Sequence, residues 1–438
     1  MSKAIVIGAG WAGLSCAVEL ADQGYEVTVL EGSGRLGGRA SSFTEKITGT
    51  CVDNGQHLLM GCYHSTLHFL KKIGSLEHLE AQKNLSVDFV NKDAEFFSLH
   101  CRDLPSPFHI LSGLWGLKSL SLKEKISTFK VYSALKKTDS NGSNTQTVEE
   151  WLKSLGQSEK SLKYFWDPIT LATLNEQSSI AEAESLKIVL REALFSTKED
   201  SKIYISKVGL SDLCGPGSEK YLKERKGEIR LNTLVTKINT VGDSVRGVVL
   251  RDGTTLTADV YISALPYFIL KNILQGDQSK TPFFHPLNQL KSSPIFSISI
   301  WFDGPITDKD FVGLVDGDIH WLFNKGKISG VPEEGYVSLV ISGAHKYLEM
   351  SNEELLKLAL ENLRRSFPIV ASRKILHSLI QREKNATLSP RVGSSQYRLP
   401  QKTPLKNFYL CGDWTDTGYP ATIESAVLSG VKAAGYVV

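Results

Sequence analysis

The hydrophobic pattern changes period several times along the chain, and each change marks an element. Ala4–Ile7 is a short β-branched run of the kind a buried parallel strand requires. From Ala12 to Ala21 the period turns helical, with Leu14, Ala17, Val18 and Ala21 on one face. YEVTVL (25–30) reads as a second strand and ends at Glu31. Farther on, residues 227–266 alternate apolar and polar over three short runs split by Gly-Asp and Asp-Gly turns, which predicts a β-meander. Residues 85–105 read as a strand pair, 147–176 as helices rich in aromatics, 179–194 as an amphipathic helix and 292–303 as an alternating strand. Near the end, Phe408 to Cys411 predicts a strand and a helix starts at about Ala421. The polar stretch 136–147 predicts a surface loop. No apolar run is long enough to span a bilayer.

Chemistry enters first at the turn after the opening strand. Gly8, Gly10 and Gly13 form G-x-G-x-x-G between that strand and the helix that begins near Ala12. Such a turn lets backbone approach a diphosphate, and the helix N-terminus supplies amides and a positive dipole end. Glu31 stands at the end of the second strand, where a carboxylate holds a ribose hydroxyl. Together these features read as a dinucleotide-binding unit.

GSGRLGGRA (32–40) follows directly, and Arg35 and Arg39 bracket Gly37 and Gly38. A nicotinamide site needs no second glycine pair with flanking arginines here. The arrangement resembles the second signature of the FAD-dependent amine oxidase and phytoene desaturase superfamily, which favours FAD. That resemblance implies a return of the C-terminus to the cofactor. Gly412 and Asp413 match the pair that meets the ribityl and pyrophosphate region, and the helix starting near Thr422 and Ile423 would aim its N-terminus at the isoalloxazine. Val235 matches the position whose backbone meets the adenine, and the full FAD set includes Ala12 and Gly38. The implied fold is α/β: a Rossmann-type, glutathione-reductase-like FAD-binding domain in three parts (1–80, 205–280, 400–438). An α+β substrate domain is inserted as 81–204 and 281–399.

Composition narrows the remaining choices. A net charge of +3 gives no bulk attraction to nucleic acid, so no nucleic-acid partner is expected. Six scattered cysteines without C-x-x-C fit reduced cytosolic thiols, and the N-terminus lacks the basic start and small-residue exit of a signal peptide. CVDNGQHLLMGCY (51–63) raises three readings. Its Cys, Asp and His spacing matches no metal set, and a Cys–His nucleophile gives no reason for a flavin beside it. The reading kept is a loop at the flavin, in which Gly55 allows close approach and His57 or Asp53 faces substrate. The plainer alternative is that these residues only hydrogen-bond the loop. Residues 104–126 are apolar, with Phe108 and Trp115, and gain Lys118, Lys123 and Lys125 toward their end. They fit a helix lying in a lipid interface and a core helix with a basic surface equally well. The first would add peripheral contact with the inner face of the plasma membrane to a cytoplasmic location.

VDNGQHLLMGCY and GDWTDTGYPATIESAVLSG resemble the hydroxysqualene dehydroxylase family, also called squalene-associated FAD-dependent desaturases. Segments 104–111 and 171–177 are similar too. Members act in bacterial squalene and hopanoid synthesis, so the resemblance implies removal of the hydroxyl of hydroxysqualene by reduced FAD. That chemistry needs an acid at the allylic oxygen and a dry tunnel for a long isoprenoid. His57 and Asp53 are the candidate acids, and Trp166, Phe296 and Trp301 are candidate tunnel aromatics. No metal is implied. A carotenoid desaturase is the nearest alternative, although the chain is shorter than typical members and its C-terminal motif departs from theirs. A flavin amine oxidase is disfavoured, because its cage aromatic falls at Thr422 and its lysine near Ser297. A flavin-binding protein without turnover is the alternative of another class.

Overall fold

The computed structural model describes residues 1–136, 145–274, 281–331 and 334–437. The expected surface loop falls largely outside them. Lys3–Ile7 is the central strand of a five-stranded parallel sheet. Glu26–Leu30 and Glu228–Arg230 lie on one side of it, and Val260–Ser263 and Phe408–Leu410 on the other. Inner strands buried on both faces are apolar, which is why Ala4–Ile7 and Val260–Ile262 are short runs rich in β-branched residues, whereas the edge strand Glu228–Arg230 carries charge at both ends. The helix Trp11–Asp22 packs on this sheet beside Ile423–Gly435, so the two ends of the chain meet. The Ser15 hydroxyl donates to the Val427 carbonyl at 3.1 Å across that contact. Gly430 makes the approach feasible, because a Cβ there would lie 2.3 Å from the Ala12 carbonyl oxygen. The expected meander is present as Val235–Val241, Ser244–Leu250 and Thr255–Leu256.

A second sheet of seven strands stands against the first unit. Its order is Ile375–Leu388, Ser292–Phe302, Gly335–Ser342, Trp321–Asn324, Phe311–Leu314, Ser86–Val90 and Phe96–His100. All neighbours are antiparallel except Phe311–Leu314 with Ser86–Val90. Helices from 148–194 cover one face of this sheet, and Asn352–Ser366 packs on the other. Alternation along Ser292–Phe302 therefore divides its side chains between two environments. Ile295 and Ser297 face a cavity, while Phe296, Ile298 and Ile300 join the opposite core.

This division corrects the aromatic assignment. Phe296 points away from the cavity, beneath Arg382. Trp301 stacks on Tyr336, 4.4 Å between ring centroids, outside the lining. Trp166 turns into the helical core and its indole N–H donates to Gln157, whereas its neighbour Phe165 lines the cavity.

Segment 104–126 is not one helix. Phe108–Gly116 ends where Leu117 and Leu120 turn inward, and Leu122–Lys136 begins anew. Ile110, Gly113 and Leu114 pack inward, Gly113 so closely on Cys101 and Leu99 that a methyl group would not fit. Outward stand Phe108 (59% exposed), Trp115 (62%), Leu122, Ile126 and Phe129, with Lys118, Lys123 and Lys130 exposed around them. Among the described residues no helix is long and apolar enough to cross a membrane.

Candidate active site

The first glycine turn folds as its sequence demands. Gly8 takes φ +102°, in the region that favours glycine, and its amide donates to the Leu30 carbonyl at 2.8 Å. A Cβ on Gly13 would fall 2.0 Å from the Gly8 carbonyl oxygen, so helix and turn can meet only at glycine. Gly37 and Gly38, both at positive φ, fold back over this turn, and Gly38 comes within 3.1 Å of the Gly10 Cα by the same Cβ measure. Glu31 accepts the amides of Ala9 and Ser33, each at 2.8 Å, which fixes its carboxylate at the cavity edge.

Arg39 joins the two ends of the chain. One guanidinium nitrogen bonds Asp413, and the other donates to the Ala386 carbonyl at 3.0 Å. Gly412 donates its amide to Ser429, and the Thr422 hydroxyl caps Ile423–Gly435 by accepting from Ser425. The positive end of that helix opens into the cavity through Thr422 and Ile423. Arg398, which carries no sequence signal, staples the C-terminal loop by donating to the carbonyls of Asp413 and Thr415.

These groups surround one end of a cavity of about 530 Å³. Of the expected FAD contacts, Gly8, Gly10, Ala12, Glu31, Gly38 and Arg39 line it, as do the four from the C-terminal motif. Three do not. Gly13 packs helix on turn. Arg35 is exposed and lies over the Phe43 ring, 5.4 Å from its centroid, outside the lining. Val235 begins a meander strand with its side chain in the core and is absent from the lining.

The same cavity runs on over the seven-stranded sheet. Nearest the glycine turns, the sheet presents Gln381, Glu383, Ser297 and Ser342; beyond them lie Val340, Trp321, Phe323, Phe311, Phe89 and Val87. One face thus passes from polar to apolar across successive strands. Gly313 clears space for the Phe89 ring, which a Cβ would meet at 2.5 Å. Phe165, Ile169, Val189 and Leu194 close the apolar end from the helical side.

The loop after Cys51–Asp53 lies between the two ends. Gly55 takes φ +87°, and Asn54, Gln56 and His57 line the cavity. Asp53 does not. It is buried and accepts from Ser42 (2.7 Å), the Leu210 amide (3.0 Å), Gln56 (3.0 Å) and Lys325 (2.9 Å). Burial alone would raise this carboxyl, but the Lys325 ammonium, with Ser42 and Leu210, outweighs it and holds it below its usual range. Asp53 is therefore an ionised anchor for the loop. Lys325, itself buried, also donates to Gln56 at 3.2 Å. Burial keeps the His57 imidazole below its ordinary value, against the pull of the Gly55 carbonyl and Asp53. Its Nδ1 lies 3.2 Å from that carbonyl, which can only accept, so Nδ1 carries the proton and the neutral ring presents Nε2 as an acceptor. Burial pushes the Cys62 thiol up to about 12, which makes it a poor nucleophile.

Comparison with known proteins agrees with this geometry. Residues 11–438 match the family described as flavin containing amine oxidoreductase. Zeta-carotene desaturase of Synechocystis sp. is 26% identical over 479 residues, 99% of this chain and 96% of that protein. The chloroplastic/chromoplastic zeta-carotene desaturase of Solanum lycopersicum is 26% identical over 482 residues, 99% of this chain and 80% of that one. An oxidoreductase structure from Methanosarcina mazei has a TM-score of 0.77 at 19% identity, covering 98% of this chain and 99% of that one, a likeness of fold. With its mixed α/β, Rossmann-type fold and FAD as cofactor, the chain is an FAD-dependent oxidoreductase and belongs to the flavin containing amine oxidoreductase family.

Proposed function

We propose that the chain acts on a long isoprenoid and removes the hydroxyl of hydroxysqualene to give squalene. The observation that carries this reading is the single cavity that passes from the glycine turns to an aromatic, water-excluding pocket on the second sheet. Glu31 would hold the ribose, the turns at Gly8–Gly10 and Gly37–Gly38 the diphosphate, and Asp413 with Arg39 the ribityl region. Bound in its reduced form, FAD supplies the hydride. The N-terminus of Ile423–Gly435 would favour negative charge at the cofactor's edge. Asp53 and Lys325 hold the loop that carries Gln56 and His57 against the junction. Phe89, Phe311, Trp321 and Phe323 exclude water from the chain of the substrate, which keeps a developing allylic cation from capture by solvent.

Carotenoid desaturation is the second reading, supported by the 26% identity to zeta-carotene desaturases across 99% of this chain. The two differ in the direction of electron flow, and one anaerobic experiment separates them. Reduced protein with hydroxysqualene should yield squalene as the flavin absorbance returns. Oxidised protein with phytoene or zeta-carotene, losing that absorbance with no squalene formed in the first arm, would replace the reading by desaturation.

The exposed apolar side chains of 108–129, ringed by lysines, support docking of this face on an anionic bilayer, from which so apolar a substrate is drawn.

A further inference from the structure

We propose that Glu383 is the acid that protonates the departing hydroxyl, a role that rests on the dehydroxylase reading. Three carboxylates line the cavity among the described residues: Glu31, Asp413 and Glu383. Glu31 is taken up by the amides of Ala9 and Ser33 at the glycine-turn end. Asp413 is ion-paired to Arg39. Glu383 has no cation within ion-pair distance among the described residues, and its hydrogen bond there is a long one, 3.4 Å, from the Asn385 amide. A proton donor needs a carboxyl whose charge is not already matched by a fixed cation, and Glu383 meets that condition.

Its place in the sheet meets the geometric one. Glu383 lies opposite Ile295, which in turn lies opposite Ser342, and all three face the cavity. Two anchors flank it on its own strand. The Gln381 amide donates to Asn54 at 3.2 Å, and the Thr387 hydroxyl donates to the Ala421 carbonyl at 3.2 Å. Glu383 is thus held between the loop that carries His57 and the N-terminus of Ile423–Gly435, at the boundary where the cavity wall changes from polar to apolar. Neither earlier candidate competes for the role. Asp53 lies behind the lining against Lys325, and neutral His57 presents a lone pair.

The step balances. The allylic C–O bond breaks with its electron pair on oxygen, and that oxygen takes the Glu383 proton and leaves as water. The carbon takes the hydride drawn from reduced FAD, so the substrate is reduced by two electrons and FAD oxidised by two. Glu383 is left as a carboxylate and is reprotonated from solvent.

The test is Glu383→Gln in the FAD-loaded protein, which keeps the shape and removes the proton. Substrate affinity is read from perturbation of the oxidised flavin spectrum, and squalene from an anaerobic single turnover after reduction. The expected result is a rate at least about 100-fold lower with affinity within about threefold, and Glu383→Ala regaining about tenfold on addition of formate. Glu383→Gln forming squalene within about threefold of the unaltered protein's rate would overturn the assignment. Should Glu383→Gln fail to retain flavin, the formate response of Glu383→Ala decides, and no response would overturn it. An unaltered protein that forms no squalene would instead sink the dehydroxylase reading, and the role of Glu383 with it.

Discussion

Asp53 and Lys325 illustrate how a residue's type can be legible while its role is not. A carboxylate in a loop beside a flavin invites a proton-transfer role, yet the side chain points away from the cavity into four hydrogen bonds. Its partner, Lys325, lies 272 residues away in sequence, and nothing local marks a lysine in WLFNKGK as buried. Removing one member of a buried pair leaves a charge uncompensated, so Lys325→Met should destabilise the protein by about 3–5 kcal/mol in denaturant unfolding. Lys325→Met with Asp53→Leu should recover a large part of that loss. The effect also has a pH signature. The Asp53 carboxyl is lowered in the folded protein, so its stabilisation is present above the unfolded value of about 3.9 and is lost as pH falls through the folded one. In Lys325→Met burial acts on Asp53 against only the hydrogen bonds from its remaining neighbours, Ser42 and Leu210 among them, and penalises the charged form more than in the unaltered protein, a penalty that fades as the group protonates. The stability gap between the two proteins should therefore be widest near neutral pH and narrow below about pH 4, as urea titrations at several pH values would show. A gap independent of pH would remove Asp53 from the explanation.

The elements that bind the dinucleotide were the most legible, because their constraints are local. Positive φ at Gly8 and the absence of space at Gly13 act within a few residues, and glycine at that spacing records them. Gly430 belongs with them but acts between helices, and its sequence context shows only a glycine inside a helical pattern. Helix propensity favours alanine there by about 1 kcal/mol. The overlap opposes it, since a Cβ would stand 2.3 Å from the Ala12 carbonyl and 2.9 Å from the Cys16 amide, and neither can shift alone. Gly430→Ala should cost a net 1–3 kcal/mol or thereabouts and lower the flavin content at purification, measured by thermal melting and the visible spectrum. The strand Ser292–Phe302 was legible as a strand but not by face. Alternation says that neighbours diverge, and only its two partner strands determine that Ser297 rather than Phe296 meets the cavity. Glu383 escaped notice for the same reason: its significance comes from register with strands about ninety and forty residues earlier. The pair Phe108–Gly116 and Leu122–Lys136 presents the opposite case, a composition that was plain and an outer face that only packing could identify. Phe108→Ser with Trp115→Ser should weaken sedimentation with anionic vesicles by at least about tenfold, given 1.5–3 kcal/mol for each large apolar group buried. Unchanged binding would exclude this face as the lipid contact.

At the scale of the whole molecule, two sheets with opposite requirements share one cavity. The parallel sheet ends in glycine turns and a helix N-terminus, which suit a charged dinucleotide. The seven-stranded sheet offers Val87, Phe89, Phe311 and Trp321, which suit a hydrocarbon. Arg39, the Asn54–His57 loop and the strand Ile375–Leu388 tie the two together where their polar and apolar ends meet. The charge of +3 and the scattered cysteines could not foretell this meeting, because it depends on strands from both halves of the chain. The most direct measurement is a crystal structure of the FAD-loaded protein with squalene bound. The expected result is the isoalloxazine beside Thr422 and Ile423, and the hydrocarbon extending from Glu383 and Ser297 along Val340, Trp321 and Phe89. Squalene seated anywhere else, with the apolar end of this cavity empty, would contradict the account.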